Sequence, residues 1–331
     1  MTILETLKSR AKATNGSVVL PEAFDERTLR AAAQILADGL ASVVLVGNTE
    51  QVNSDADKYG LNISGATIVD PEHYERIGEF ADFFYQKRKD KGVTEAQALQ
   101  TVKHHLFFGA LLVKFGIVGG MVAGAANTTA DVLRAALQVV GVMPGLKTVS
   151  STFIMVIPDF MGQDSLFFFA DCAVVPNPTA DQLADIAITT AATRRSIIGD
   201  EPKVALLSFS SKGSAEHELV EKVTSAMKII DSRNVDFDYD GELQLDAAII
   251  PAIAKSKAPN SKVAGSANTL IFPDLQSGNI GYKLVQRFAK AEAIGPIIQG
   301  LAAPICDLSR GCSFEDIVNT AVLVLLMANN K

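Results

Sequence analysis

Ala303-Pro304-Ile305-Cys306-Asp307-Leu308-Ser309-Arg310-Gly311-Cys312-Ser313-Phe314-Glu315-Asp316 decides the reading of the fold. An apolar run from Ala303 to Asp307 ends in a polar turn containing Gly311, and a helical pattern follows from Ser313 to Met327. That is one strand–turn–helix unit. Runs apolar at every position mark strands covered on both faces, as in parallel sheets. Working outward, further strands are expected at Ser17–Pro21, Ser42–Gly47, Ala66–Val69, Ile117–Ala123, Thr148–Ile157, Phe167–Val175, Val204–Phe209, Ala247–Ile250 and Asn268–Ile271. Helical patterns fall between them, at Asp25–Asp38, Pro71–Lys89, Thr94–Lys114, Thr129–Val140, Thr179–Ile198, Ser214–Ile230 and Leu275–Ala291. The alternation gives an α/β class with right-handed crossovers.

The length of 331 residues suits two α/β domains with mainly parallel sheets better than one core. Pro144-Gly145 punctuates the middle, Thr148 opens a new series of strands, and Gly295-Pro296 reads as a helix break before the last unit. With no long linker, an interdomain cleft is the default ligand site. Hydrophobic residues at 48% and charged ones at 20% exclude disorder, and a net charge of −7 argues against nucleic acid or an anionic membrane as the main partner. Cys172, Cys306 and Cys312 form neither a CxxC pair nor a zinc spacing. The N-terminus reads as an amphipathic helix rather than a targeting segment, and Phe107–Asn127, which carries Lys114 and several glycines, as a helix followed by a buried strand rather than a span. A soluble, cytoplasmic protein is expected.

Several catalytic signatures are missing: GxGxxG after a strand, GxxxxGK[ST], HExxH and GxSxG. His104 and His105, adjacent on one expected helix, should point apart. The turn Ser309-Arg310-Gly311 is placed where open α/β sheets bind ligands, and an arginine beside a helix start suits an anion. Ser313-x-x-Asp316 also reads as a capping box that does no more than start the helix. Ser208 to Ser214 is a hydroxyl-rich junction that would hold phosphate on its amides or cap a helix through Ser214. Pro176-Asn177-Pro178-Thr179 with Gln182 reads as a helix cap. Asn279, Tyr282 and Lys283 gather polar groups after another strand, while Arg88 and Arg134 look like solvated helix residues.

The segments DLSRGCSFEDIV, NTLIFPDLQSGNIGYKLVQR, AEAIGPIIQGLAAP, FADCAVVPNPTADQLADIA, MVAGAANTTADVLRAAL, SSTFIM and KRKDKG resemble phosphate acetyltransferases, within the phosphate acetyl/butyryltransferase family, over essentially the whole chain. One departure is Gly119–Gly124, where that family leads one to expect an acidic residue before the second glycine and a serine near Ala123. The resemblance implies an acyltransferase for the reaction of acetyl-CoA with phosphate to give CoA and acetyl phosphate, in acetate metabolism. It implies a homodimer and an isocitrate/isopropylmalate dehydrogenase-like architecture. It divides the chain into residues 1–147 plus 298–331, a discontinuous first domain, and 148–297. Coenzyme A, acetyl phosphate and inorganic phosphate are the expected partners, with no cofactor and no metal. By motif, Asp316 is the candidate base, Ser309 and Arg310 act at the reacting centre, and Arg88, Arg134, Asn279, Tyr282 and Lys283 bind CoA or phosphate. A phosphate butyryltransferase and a non-catalytic CoA-binding regulatory module are the alternatives.

A thiol near about 8.5 and an ordinary aspartate near about 3.9 differ by about 4.6 pK units, roughly 6 kcal/mol against proton transfer. A carboxylate base therefore needs burial or a transfer concerted with attack. Ser309 suits a growing oxyanion, and the Arg310 fork suits a leaving phosphate. Cys312, beside a helix start and an arginine, is expected to have a lowered pKa. Direct transfer in a ternary complex is nevertheless expected, because CoA itself supplies the nucleophilic thiol.

Overall fold

The computed structural model describes residues 2–329. In chain order the first elements are α1 (Ile3–Ala13), β1 (Ser17–Leu20), α2 (Glu26–Ala37), β2 (Ser42–Val46), α3 (Thr49–Lys58), β3 (Thr67–Val69), α4 (Ile77–Arg88), α5 (Glu95–Val102), α6 (His105–Lys114), β4 (Gly120–Ala123) and α7 (Thr129–Val139). Next come β5 (Ser150–Phe160), β6 (Gln163–Ala170), α8 (Ala180–Ile198), β7 (Lys203–Leu207), α9 (Glu218–Ser232), β8 (Asp238–Leu243), α10 (Leu245–Ile249), α11 (Pro251–Lys257), β9 (Thr269–Ile271), α12 (Leu275–Phe288) and β10 (Glu292–Gln299). The chain closes with β11 (Ile305–Asp307) and α13 (Phe314–Ala328). Two compact units result, Met1–Gly141 with Leu301–Lys331, and Val142–Gly300. The α/β class with mainly parallel sheets is what these elements form.

The first unit holds a wholly parallel sheet in the order β11-β4-β1-β2-β3. Successive strand residues face opposite sides, and β4 shows what each side meets. A Cβ on Gly120 would fall 2.2 Å from Val324 Cγ1 of α13, while Met121 Sδ lies 2.8 Å from where Gly109 of α6 would carry one. Helices thus cover both faces, and only glycine lets α13 lie this close to β4. Val18, Val19, Leu20, Met121 and Val122 are accordingly buried, as are Val322 and Val324 of α13. Burying one such side chain is worth about 1.5–3 kcal/mol.

The second unit holds a mixed sheet, β10-β5-β6-β9-β7-β8, in which β5 runs antiparallel to both β10 and β6. Val204 and Leu206 pack with Leu183, Ile186, Val223 and Ala226 on one face. Ala205 and Leu207 pack with Phe153, Ala247 and Ala248 on the other. The period of two separates the layers.

Several expectations are corrected. Ala247–Ile250 is not a strand: its first three residues belong to α10, and Ile250 is the extended cap residue between α10 and α11. Gly295-Pro296 breaks no helix and sits inside β10. The single helix expected over Thr94–Lys114 is two, because His104 takes extended backbone and caps α6. Both histidine rings then stack at 4.3 Å instead of diverging. Phe107–Asn127 is α6 followed by β4, as read, and no described helix is long and apolar enough to cross a membrane.

Candidate active site

All strands of the first sheet end on one edge, and chain order reverses between β1 and β4. Open α/β sheets place ligands at such a reversal. Here the loop after β1 sends Glu22 across to the loop after β4. Glu22 Oε2 accepts from the amides of Gly124 and Ala125, both at 2.9 Å. Its Oε1 accepts from Ala126 N at 3.1 Å, Asn127 N at 2.9 Å and Asn127 Nδ2 at 2.6 Å. Converging amides of this kind make an anion-holding concavity. Glu22, only 1% exposed, fills it. Asn127 Nδ2 also lies 2.9 Å from His105 Nε2. The approach to Glu22 identifies that atom as the NH2, so Nε2 accepts and the ring is neutral, in line with burial that pushes His105 down to about 4.

On the other side of β4, Asp307 ends β11. Thr129, the first residue of α7, donates its hydroxyl to Asp307 Oδ2 at 2.5 Å. Oδ1 is inaccessible and has no hydrogen-bond partner among the described residues. It sits over Gly124, whose φ is +111°, and a Cβ there would lie 2.4 Å from Oδ1. Glycine is therefore required at 124, both for the backbone and for this carboxylate. Burial pushes the Asp307 carboxyl up to about 6, and the charge of Glu22 acts in the same sense.

Two residues on, Ser309 and Arg310 are exposed in a turn closed by Cys312 N on Ser309 O at 2.9 Å. Arg27 of α2 holds that turn. Its Nη1 donates to the carbonyls of Arg310 at 2.8 Å and Cys312 at 3.0 Å, and its Nη2 to that of Ala125 at 2.6 Å. Its remaining donors grip the Asp25 carboxylate, which also caps α2 and is held below the usual carboxylate range by this guanidinium. One planar fork thus ties together the loops after β1, β4 and β11. The Arg310 guanidinium has no ion-pair partner among the described residues. Ser309 Oγ accepts from Gly311 N at 3.3 Å, so its own proton is free to be donated elsewhere.

Asp316 is exposed and forms the capping box of α13: its Oδ2 accepts from Ser313 N at 2.9 Å, and its amide donates to Ser313 Oγ at 3.2 Å. The capping-box reading is thus what the structure shows, with Oδ1 making no hydrogen bond to a described residue. Cys312 differs from expectation: burial outweighs the neighbouring Arg27 and raises its thiol to about 11.

Arg88 closes α4 with its Nε inaccessible and unpartnered, and Arg134 on α7 pairs with Asp131 at 2.7 Å. Lys87 Nζ on Val139 O at 2.6 Å ties the ends of these two helices. Asn279, Tyr282 and Lys283 belong to α12 of the second unit. There Asn279 Nδ2 donates to Cys172 O at 3.0 Å, Tyr282 stacks on Phe153 at 4.2 Å, and Lys283 is exposed. The Ser208–Ser214 loop holds an internal anion: Ser210 Oγ and Gly213 N donate to Glu242 Oε1 at 2.8 and 2.7 Å. His217, not Ser214, caps α9, whereas Thr179 and Gln182 form the expected box on α8. Among the described residues no His, Cys, Asp or Glu cluster is placed to hold a metal ion.

Glu22, Arg27, Thr129 and Asp307 went unread in the sequence as site residues. The one signal was local: Pro21-Glu22-Ala23-Phe24-Asp25-Glu26-Arg27 puts four charges at the end of a buried strand.

Residues 2–325 match the profile of the phosphate acetyl/butaryl transferase family. A phosphate acetyltransferase from Thermoanaerobacterium thermosaccharolyticum is 50% identical over 329 residues, 99% of this chain and 100% of that protein. A phosphotransacetylase from Streptococcus pyogenes superposes with a TM-score of 0.94 at 42% identity, covering 100% of both chains. A chain assigned as a 4-hydroxythreonine-4-phosphate dehydrogenase from Salmonella typhimurium superposes with a TM-score of 0.55 at 12% identity, over 95% of this chain and 99% of that one, a likeness of fold alone.

Proposed function

This chain belongs to the phosphate acetyl/butaryl transferase family, and we propose that it is a phosphate acetyltransferase, interconverting acetyl-CoA plus phosphate with CoA plus acetyl phosphate. The observation that carries the proposal is the turn at 309–310, where an unpaired guanidinium and a free hydroxyl proton are presented together on a loop fixed by Arg27. Towards acetyl-CoA, Asp316 Oδ1 takes the CoA thiol proton as sulfur attacks the acetyl carbon. Ser309 donates to the carbonyl oxygen as it gains charge. The C–S bond forms, the C–O bond to phosphorus breaks, and phosphate leaves on the Arg310 fork, which stays charged throughout. Exposure of Asp316 makes concerted transfer the fitting course, since its own carboxylate is not buried.

In the same reading Arg88 and Arg134 bind the phosphates of CoA, with Asn279, Tyr282 and Lys283 contributing from α12. A homodimer is supported by the apolar stripe Ile280, Leu284 and Phe288 on α12, 57%, 49% and 85% exposed, and a cytoplasmic location by three free cysteines. The test is thiol release from acetyl-CoA, with and without phosphate, repeated with butyryl-CoA. Phosphate-dependent release fastest with acetyl-CoA is expected. Binding of CoA without release would refute the proposal, and a faster butyryl reaction would move the chain to the butyryl activity.

A further inference from the structure

We propose that Asp307 is a positioning residue for acyl transfer: by holding the Thr129 hydroxyl it fixes the strand end that carries Ser309 and Arg310 to the helix that carries Arg134. The inference rests on the transferase reading and adds to it the part that aligns its two anion-binding segments.

Two segments 178 residues apart in sequence meet at this one side-chain bond. Thr129 is the first helical residue of α7, and Arg134 lies further along the same helix. Asp307 is the last residue of β11, and the Ser309–Arg310 turn begins two residues later. Leu308 N donates to Ala123 O at 2.8 Å, which continues the β11–β4 pairing past the strand end. The backbone is thus fixed on the β4 side, and Asp307 supplies the link on the α7 side.

A residue serving structure alone would be poorly chosen here. Asp307 is 3% exposed, its Oδ1 has no partner among the described residues, and the charge that acts on it is that of another carboxylate, Glu22. Asparagine would keep the bond to Thr129 without a buried charge. Unfavourable buried ionisable groups gather where geometry serves chemistry. The charge acting on the carboxyl is that of Glu22 after β1, held by the loop amides, while Arg27 on α2 is saturated by Asp25 and three carbonyls. His105 on α6 is kept neutral by burial and meets Glu22 through Asn127. None of them donates to Asp307 Oδ1. Its ionised form therefore depends on Thr129 for a side-chain hydrogen bond, and protonation, centred at about 6, loosens a charge-assisted link.

The experiment compares the wild-type chain with Thr129→Val, Thr129→Ser and Asp307→Asn in the direction of acetyl-CoA synthesis. It records kcat, the KM values for acetyl phosphate and CoA, thermal unfolding and the pH profile of kcat between 5 and 8. Misplacing reacting groups by a fraction of an ångström to one ångström costs roughly 10- to 100-fold in rate. Thr129→Val should lose that much kcat and raise the KM for acetyl phosphate or CoA as Arg310 and Arg134 lose their alignment, and Thr129→Ser should restore both. Asp307→Asn should lose the acid-side step of the wild-type profile. Variants with unchanged kcat and profile overturn the proposal. So does a loss of kcat in Thr129→Val that follows unfolding and is not restored by serine, since Asp307 would then be structural only. A wild-type chain that fails to make acetyl-CoA at all refutes the transferase reading itself, and the positioning role falls with it.

Discussion

Replacing Asp307 by asparagine should change the pH dependence of stability in a calculable way. Below about 4 the carboxyl is protonated in both the folded and the unfolded chain. Between the ordinary value of 3.8 and the folded value of about 6, the folded state holds the proton and the unfolded state does not. Stability therefore falls as pH rises through this window, the reverse of a salt-bridged aspartate. The whole gap is worth roughly 3 kcal/mol at 1.36 kcal/mol per pH unit, of which about 1.4 kcal/mol is lost between pH 5 and 7.5. Asparagine does not titrate, so the wild type should gain about 1.4 kcal/mol on the variant when pH drops from 7.5 to 5. Amide exchange of the β4 and β11 ladder reports the first unit by itself and does not require the whole chain to unfold in one step. Comparing both proteins at each pH cancels every other titrating group they share. A difference independent of pH would falsify the argument, and a slope of opposite sign would show that Asp307 is a stabilised anion.

The other expectations concern the turn and the helix that follows it. Asp316→Asn keeps a side-chain acceptor for Ser313 N, so the thermal midpoint should hold while turnover falls by roughly 10² to 10⁴; near-normal turnover would reduce Asp316 to a cap. Arg310→Lys should lower turnover and raise the KM for acetyl phosphate, because an ammonium does not reproduce a bidentate fork, and unchanged values for both would remove it from the site. Arg27→Lys should lower kcat by roughly 10-fold or more through misplacement of the turn, with wild-type kinetics as the refuting result. A thiol raised to about 11 is barely ionised at neutral pH, so Cys312 should resist iodoacetamide at pH 7.5. Cys312→Ala should keep most activity with intersecting double-reciprocal plots; parallel plots with a dead alanine variant would establish an acyl-enzyme.

Much of the first unit was legible because its strands are buried on both sides and read as unbroken apolar runs. Val18-Val19-Leu20 and Val43-Val44-Leu45 are of this kind. In the second unit that signal fails at the sheet's margins. β8, Asp238–Leu243, is polar and lies at one edge, and β10 at the other edge contains Gly295-Pro296. The run Ala247–Ile250 is apolar all round and too short for periodicity to separate helix from strand. Of the site, the sequence displays what is contiguous: Ser309, Arg310 and Asp316 fall within eight positions. Glu22 meets its loop across 102 to 105 residues and Arg27 meets its turn across 283 to 285. Only the folded β1–β4–β11 edge brings such pairs together.

Glu22 has a consequence for how an anionic substrate arrives. Ordering four residues of a flexible loop around a phosphate would cost several kcal/mol of backbone entropy, at about 1–2 kcal/mol per residue. Residues 124–127 are already ordered around a carboxylate supplied by the chain itself. That ordering is complete when the protein leaves its unfolded state, so none of it is charged against substrate affinity. The same internal anion also keeps the loop amides from taking up an inorganic anion. Recognition then falls to the side chains beyond the loop, which discriminate by shape and charge where bare amides would not.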